Sequence, residues 1–245
     1  MNRIVENLVA ATLISLATVS STFSQESSFE IPIRGIVRAS LEATLATRIV
    51  APINYIGFRE GQQFKKGDVL VELDCRPEEA ELAATKATHR EKLITFESAE
   101  YLFKQNAGNR QELETARAQA DRAKAQVDSI EARLEGCRIV APFDGRVSKL
   151  SVHKFEMPAS GSPLISIVDS RAPEIDLIIP STWLKKIKPG TKFGFVVDET
   201  REQHLGIVKR TGATVDAVSQ TIKVFAAFSK SVSTVMPGMS GTASF

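Results

Sequence analysis

The chain has 245 residues, 43% of them hydrophobic, which is too high for a disordered protein and sufficient for two or three small domains. Its 31 basic and 29 acidic residues nearly cancel, so the composition shows no basic excess of the kind that nucleic-acid binding requires. We therefore expect no nucleic-acid partner.

The first predicted element is an export signal. Arg3 precedes an apolar stretch at residues 8–19, and small polar residues occupy 20–24. This pattern predicts a signal peptide over 1–24, with cleavage near Ser24, and a mature protein located outside the cytosol. A buried N-terminal helix is the alternative interpretation. No later segment approaches the ~20 apolar residues that span a bilayer.

The next feature is a repeat. The tetrapeptide Ile-Val-Ala-Pro occurs at 49–52 and again at 139–142, and each copy precedes alternating apolar and polar residues. A turn centred on Gly67 or Gly161 then leads into an apolar strand. We expect each copy to start the first strand of one half of a β-sandwich, because either half alone would expose an apolar face. The predicted halves are residues 44–74 and 138–170.

Residues 75–137, between the halves, have the composition of a helical hairpin. They are rich in Ala, Glu, Lys, Arg and Gln, which favour helix. The second helix carries an unbroken heptad seam, formed by Leu113, Ala116, Ala120, Ala123, Val127, Ile130 and Leu134. The first helix, from Pro77 to about Asn106, has a less regular stripe of Leu82, Leu93, Phe96 and Phe103, which His89 and Glu100 interrupt.

The predicted turn of the hairpin lies at 106–109. Asn109 and Glu112 have the spacing of a capping box, and Gly108 permits the reversal. Pro77 suits the start of the first helix, and Gly136 suits the end of the second. Helices of this length would form a rod roughly 40 to 45 Å long. Such a rod is longer than packing against its own small domain requires, so it indicates a role in assembly or in reaching a distant partner. A purely structural coiled coil is the alternative.

The two cysteines flank the predicted hairpin. Cys75 and Cys137 would meet at its base, and an export signal implies an oxidising compartment, so a disulfide is expected. Closing a loop of this size would stabilise the fold by roughly 4 kcal/mol in the chain-entropy model. A metal pair and a catalytic thiol are the alternatives, but neither cysteine belongs to a CxxC motif or has a nearby histidine.

The remaining strands predict a small β-barrel. Residues 29–43 supply one strand, and residues 171–245 supply several more with turn signals between them. The expected fold class is therefore α+β, an elongated chain of barrel, split sandwich and antiparallel hairpin. The chain would run out through these three units and return through them in reverse order.

Motifs for other chemistry are weak. The candidate metal ligands lack metal-ligand spacing, so core and turn roles are expected for His89, His153, His204, Met157, Met236 and Met239. Ser151 and Lys154 match a bare Ser-x-x-Lys pattern without its companion motifs. We expect no catalytic residue, no metal and no cofactor.

Several segments, taken in order, resemble a known family. They are "VELDC", the charged hairpin, "CRIVAPFDGRVSKL", "IVD", Pro-x-x-Trp at 180–183, "KPGTKFGFVVDE", "VDAVSQTIKV" and "MPGMSG". Together they are similar to the periplasmic adaptor subunits, or membrane fusion proteins, of bacterial tripartite efflux systems, especially those of resistance-nodulation-division (RND) pumps. The resemblance covers almost all of residues 29–245.

The resemblance implies a non-enzymatic adaptor with two partners, an inner-membrane transporter and an outer-membrane channel. It further implies that the split sandwich is a lipoyl-like domain. The adaptor would be a homo-oligomer, a trimer or a hexamer, in which the lipoyl-like domains and hairpins line a conduit. Pump contact would rest on the barrel or on another subunit. The hairpin tip would meet the channel through Leu102, Gln105, Asn106, Ala107, Gly108, Asn109 and Arg110.

Two points keep other interpretations open. Many channel-docking hairpins carry an Arg-Leu pair, a further Leu and a tip Ser, whereas the nearest positions here are Ser98, Ala99, Leu102 and Asn109. A lipoyl- or biotin-type carrier protein would contain similar sandwich halves, but its modifiable lysine would stand where this chain inserts the hairpin. A metal-efflux adaptor is the other alternative.

Overall fold

The computed structural model describes residues 32–245, so the predicted signal peptide lies outside the described residues. The strands in chain order are β1 (Ile33–Arg38), β2 (Glu42–Ala46), β3 (Ile53–Ile56), β4 (Gln63–Phe64), β5 (Val69–Leu73), β6 (Arg138–Val140), β7 (Gly145–Leu150), β8 (Pro163–Val168), β9 (Glu174–Pro180), β10 (Lys192–Val197), β11 (Gln203–Asp216), β12 (Thr221–Phe228) and β13 (Ser240–Ser244). The helices are α1 (Arg76–Lys104) and α2 (Arg110–Leu134), with short 3-10 helices at Glu135–Cys137 and Ser181–Lys185. Between residues 32 and 245, neither helix combines the length and apolar character that crossing a membrane demands.

Six strands close a barrel in the order β1-β13-β10-β11-β12-β9, which confirms the predicted barrel. Alternate residues of these strands point inward, as in β1, where every second residue is buried. Phe195 fills the centre without solvent exposure. Gly206 is required beside it, because a Cβ there would lie 2.3 Å from the Phe193 ring.

The split sandwich consists of a four-stranded sheet, β2-β8-β7-β4, and a three-stranded sheet, β3-β5-β6. Each half of the chain contributes strands to both sheets, so neither half could form the core alone. Strand β2 spans the proposed boundary between residues 43 and 44, and its pairing with β8 places Glu42 and Ala43 in the sandwich.

The two halves are related by an internal repeat whose register differs from that of the tetrapeptides. The Gly67 N–H donates to the Ala141 carbonyl at 2.9 Å, and the Gly161 N–H donates to the Thr47 carbonyl at 2.8 Å. Gly67 and Gly161, like Thr47 and Ala141, are 94 residues apart. The tetrapeptides are 90 residues apart, so they are not structural equivalents.

The expectation that both tetrapeptides start equivalent strands is therefore wrong. The first copy, 49–52, lies in the connection between β2 and β3, whereas the second, 139–142, overlaps β6. Hydrogen bonds set the register of the two halves, and these bonds depend on backbone position rather than on side-chain identity. Ala51 and Ala141 are nevertheless both buried.

Comparison of the two halves identifies an unusual residue, Phe155, at the position equivalent to Gly61. The Gly61 N–H donates to the Val147 carbonyl at 2.8 Å, and the Phe155 N–H donates to the Ile53 carbonyl at 2.9 Å, again in the 94-residue register. Gly61 has φ +81°, which glycine adopts freely, whereas Phe155 has φ +73°, which costs a side chain of this size conformational energy. The ring is 76% exposed.

Barrel and hairpin attach to opposite ends of the sandwich. Glu42 pairs with Val168 beside the two linkers that lead to the barrel. At the other end, Leu73 pairs with Ile53, and α1 begins three residues later at Arg76. The three predicted units thus follow one another as barrel, sandwich and hairpin.

Candidate interaction surfaces of the hairpin

The seam of α2 faces α1, as the heptad pattern predicts. Its buried residues are Ala116, Ala120, Ala123, Val127 and Ile130. The outer members of the predicted seam, Leu113 and Leu134, are half-buried. Alanine at three central positions lets the two backbones approach closely, so the seam is used for packing within the hairpin.

The inward face of α1 differs from the predicted stripe. Its half-buried residues recur at steps of four and three, at Glu78, Leu82, Thr85, His89, Lys92, Phe96 and Ala99. Leu93 and Phe103, which were expected in the stripe, are 37% and 39% exposed. His89 therefore lies in the seam instead of interrupting it. Leu82 and Phe96 of the predicted stripe do lie on this face, so the prediction is confirmed in part. The remaining seam positions carry polar residues, which a search for apolar side chains does not find.

Ion pairs and a disulfide hold the base of the hairpin. Glu81 pairs with Arg133, and Lys86 Nζ lies 2.7 Å from Glu131 Oε1, so both pairs join the two helices. Exposed pairs of this kind contribute at most about 1 kcal/mol each. Cys75 and Cys137 are bonded with a Cα–Cα distance of 6.1 Å, and both are buried in the sandwich core.

The first turn of α1 carries a further charge pair. Arg76 donates from Nε and Nη2 to the two carboxylate oxygens of Asp74, at 2.9 and 2.6 Å. The hydrogen bond from the Arg76 side chain, with a weaker contribution from its N–H group, lowers the pKa of Asp74. The chain is thus fixed on the sandwich side of the disulfide just before α1 begins.

The structure brings the predicted tip residues together in the turn between the helices. Asn109 caps α2 by accepting the Glu112 N–H on Oδ1 at 2.7 Å, which confirms the predicted cap. The left-handed residue of the turn is Asn106, with φ +56°, and not Gly108. Gly108 is instead favoured by close approach, because a Cβ there would lie 3.2 Å from the Phe103 backbone nitrogen, which is a tight contact.

A groove of about 600 Å³ lies beside the tip, between the two helices. All four positions nearest to the docking pattern line it, namely Ser98, Ala99, Leu102 and Asn109. Ser98 is hydrogen-bonded to its own helix, through Oγ to the Ile94 carbonyl at 2.8 Å. The groove is lined mainly by small and polar side chains, with Leu102 as its large apolar residue.

Sequence reasoning missed an apolar face on the outside of α1. Ile94, Tyr101 and Leu102 are 57%, 64% and 47% exposed, and their spacing of seven and eight residues places them on one side of the helix. In α2, which is described in full, no large hydrophobic side chain is exposed. The seven-residue spacing of Ile94 and Tyr101, outside the seam, was the signal in the sequence.

The candidate metal ligands do not converge. His89 lies in the hairpin, His153 in the sandwich and His204 in the barrel, where its ring meets the Phe228 ring edge-on at 5.6 Å. In the part of the chain that the structure describes, no group of three His, Cys, Asp or Glu residues is arranged to hold a metal ion.

The sandwich and the hairpin match a known family of proteins. Residues 42–170, the sandwich with its hairpin, match the family model described as the barrel-sandwich hybrid domain of RND membrane fusion proteins. The chain belongs to this family. Its members are non-enzymatic adaptors, and the match covers the two units that carry the surfaces described above.

The chain is similar to curated proteins over most of its own length. It is 31% identical to an uncharacterised protein of Haemophilus influenzae over 172 residues, which are 70% of this chain and 44% of that protein. It is 29% identical to the multidrug resistance protein MdtA of Escherichia coli over 226 residues, which are 83% of this chain and 54% of MdtA. The chain thus spans about half the length of the curated relatives it matches.

Solved structures share the fold. A putative efflux transporter of Bacteroides eggerthii has a TM-score of 0.70 at 22% identity, covering 86% of this chain and 67% of that one. A chimera of MacA with the hairpin of Pseudomonas aeruginosa MexA has a TM-score of 0.74 at 18% identity, covering 87% and 79%. At these identities the likeness supports the α+β fold and nothing further.

Proposed function

We propose that the chain is a periplasmic adaptor that joins an inner-membrane pump of the RND type to an outer-membrane channel. The observation that carries the proposal is the attachment of hairpin and barrel to opposite ends of the sandwich, in a chain of the membrane fusion protein family. A protein that presents a helical hairpin at one end and a β-barrel at the other is suited to bridging two partners. The role is positional and requires no chemistry.

The hairpin tip is the proposed channel-facing surface. Its exposed turn and the adjoining groove, lined by Ser98 and Leu102, offer a concave site beside a rigid reversal. The Asn109 cap and the Gly108 close approach fix the shape of the turn, which limits the entropy lost on docking. Leu102 contributes to both the groove and the exposed apolar face of α1.

The barrel is the proposed pump-facing surface. Strands β11 and β12 are joined by a turn at the end of the barrel where β9 stops, since Thr221 pairs with Pro180. Val218 lies in this turn, and its side chain is almost fully exposed. Asp216 holds the turn by accepting the N–H groups of Val218 and Ser219, both at 2.9 Å. These hydrogen bonds lower the pKa of Asp216.

Self-association of the hairpins is the third part of the proposal, as a trimer or a hexamer. The apolar face of Ile94, Tyr101 and Leu102 is uncovered in the single chain, and α2 provides a neighbouring face without large apolar side chains. A second copy would bury this face. The disulfide between Cys75 and Cys137 supports the periplasmic location, because such bonds persist in oxidising compartments.

Position-specific crosslinking in cells tests the proposal. A photoreactive residue at position 107 should recover an outer-membrane channel, and one at position 218 should recover an inner-membrane transporter. Position 149, exposed on the sandwich, is the control and should recover neither. Recovery of neither membrane partner from positions 107 and 218 would refute the adaptor role, and a mass increase of lipoate or biotin would support the carrier alternative instead.

A further inference from the structure

The barrel end farthest from the hairpin carries an unpaired cluster of lysines. Residues 177–197 contain four lysines and no aspartate or glutamate. The four are Lys185, Lys186, Lys188 and Lys192, and all are exposed. Among the described residues, none of the four has a carboxylate within 4.0 Å.

The strand pairing fixes the position of this cluster. Strand β1 enters the barrel at Ile33 and leaves it at Arg38 toward the sandwich, and β9 runs antiparallel to it with Glu174 opposite Arg38. Pro180 therefore ends β9 at the far end of the barrel, and the 3-10 helix with Lys185 follows it directly. Lys192 begins β10 at the same end, since Gly194 pairs with Ser244 near the close of β13.

Three arginines of the barrel strands are paired with carboxylates. Arg34 lies 2.8 Å from Asp198, Arg38 lies 3.0 Å from Asp176, and Arg210 lies 3.5 Å from Glu174. Carboxylates at these distances neutralise the guanidinium charge. The other basic residues of the barrel that have no carboxylate within 4.0 Å among the described residues are Arg201, Lys209, Lys223 and Lys230. These are separated from one another in the sequence, whereas residues 185–192 group four unpaired lysines at the far end.

The chemistry of the four lysines and of the neighbouring Trp183 indicates the kind of surface that this end of the barrel binds. A lysine ammonium is a point charge without the fixed fork of arginine, so a lysine cluster suits a diffuse anionic surface better than one shaped carboxylate site. Lysines near an anionic bilayer each strengthen adsorption. Trp183 packs edge-on against Phe245 at 6.0 Å beside the lysines, and half-buried tryptophan is typical of membrane interfaces.

We infer that the far end of the barrel adsorbs to an anionic phospholipid surface through Lys185, Lys186, Lys188 and Lys192. Adsorption would hold the barrel at the membrane and direct the hairpin away from it.

Vesicle co-sedimentation of the full purified chain tests this inference. The wild-type protein should bind vesicles of phosphatidylglycerol and phosphatidylcholine but not vesicles of phosphatidylcholine alone. Each lysine near the surface is worth roughly a factor of five in affinity, so the variant K185Q/K186Q/K188Q/K192Q should bind at least about 100-fold more weakly. Binding should also fall between 50 and 500 mM salt, since screening shortens the reach of the charges.

Two matched variants keep the outcome specific. K65Q/K149Q/K154Q/K230Q removes four charges from exposed lysines elsewhere and should bind within about twofold of the wild type. Replacing the four barrel-end lysines by arginine should preserve binding, because only the charge is required. All variants carry the same N-terminal segment, so differences between them report on the lysines alone.

The inference is overturned if the barrel-end glutamine variant binds like the wild type, or if the control variant loses as much affinity. It is equally overturned if the wild type ignores anionic vesicles, or binds neutral ones as well. Crosslinking from position 186 to an acidic protein surface, with no vesicle binding, would assign the cluster to a protein partner. Vesicle binding needs neither pump nor channel, so failure here leaves the adaptor proposal intact.

Discussion

Arg171 donates two parallel hydrogen bonds to Asp169, from Nε to Oδ1 at 3.1 Å and from Nη2 to Oδ2 at 2.9 Å. Asp169 is only 6% exposed and follows the last strand of the sandwich. Through Nη1 the same guanidinium reaches Asp144 Oδ2 at 2.5 Å, across to the loop between β6 and β7. One side chain therefore ties the linker toward the barrel to the end of the sandwich.

Replacing Asp169 with Asn should lower the free energy of unfolding by about 1 to 2 kcal/mol, because a buried charge-assisted hydrogen-bond pair is lost. The bond from the Arg171 side chain lowers the pKa of Asp169. The stabilisation is therefore complete above the ordinary carboxyl pKa of 3.8 and is lost as the pH falls through the lower folded-state pKa.

Urea unfolding followed by circular dichroism checks this at several pH values. The difference between wild type and Asp169→Asn should stay constant from pH 7 down to about 5 and shrink below about 4. Asp121→Asn, on the exposed face of α2, is the control and should change stability by less than about 0.5 kcal/mol. A difference between wild type and Asp169→Asn that grows as the pH falls would contradict the assigned sign.

The base of the hairpin gives a second prediction. Replacing Cys75 and Cys137 with serine should lower the free energy of unfolding by up to about 4 kcal/mol. The loss is smaller if residual helix already restricts the loop in the unfolded chain. Thermal unfolding and thiol titration check it. The oxidised wild type should show no free thiol, and reduction should lower its melting temperature. An unchanged melting temperature and thiol count after reduction would refute the bond.

The sequence predicted the elements whose side chains repeat with a clear period. Strand β9, residues 174–180, and the α2 seam from Ala116 to Ile130 lie where their patterns placed them. The inward face of α1 could be predicted only in part. Leu82 and Phe96 lie on it as expected, but Thr85 and His89 occupy seam positions where polar side chains hide the heptad. Packing against the small residues of α2 compensates for their weak hydrophobicity.

The internal repeat could be recognised but not placed in register. Four identical letters at 49–52 and 139–142 suggested a 90-residue offset, whereas the paired glycine turns at Gly67 and Gly161 obey a 94-residue offset. Backbone hydrogen bonds decide the register of a sheet, and short identities do not report on them. The positive φ of Phe155 could not be predicted either, because phenylalanine rarely adopts this backbone conformation and no glycine marks the turn.

The turn of the hairpin gives a third prediction. Asn109→Ala removes the side chain that accepts the Glu112 N–H, and should cost about 1 kcal/mol of local helix stability. Hydrogen exchange of the first turn of α2 should rise about fivefold, while the core strands remain unchanged. Gln105→Ala is the control, because its side chain caps neither helix. Equal exchange in the two variants would show that the cap does not hold the tip.

Two isoleucines on opposite faces of the hairpin separate packing from assembly. Ile130 is 5% exposed in the seam, and Ile94 is 57% exposed on α1. Ile130→Ala should lower the free energy of unfolding by about 2 to 3 kcal/mol, whereas Ile94→Ala should change it by less than about 0.5 kcal/mol.

Ile94→Ala should instead weaken self-association or channel crosslinking, because its side chain is available only to a partner. Thermal unfolding measures the first effect, and sedimentation velocity with crosslinking from position 107 measures the second. If Ile94→Ala leaves both assembly and crosslinking unchanged, the outer face of α1 is solvated in the complex. The adaptor contacts must then come from the tip and groove alone, since Ile130 cannot reach a partner from the seam.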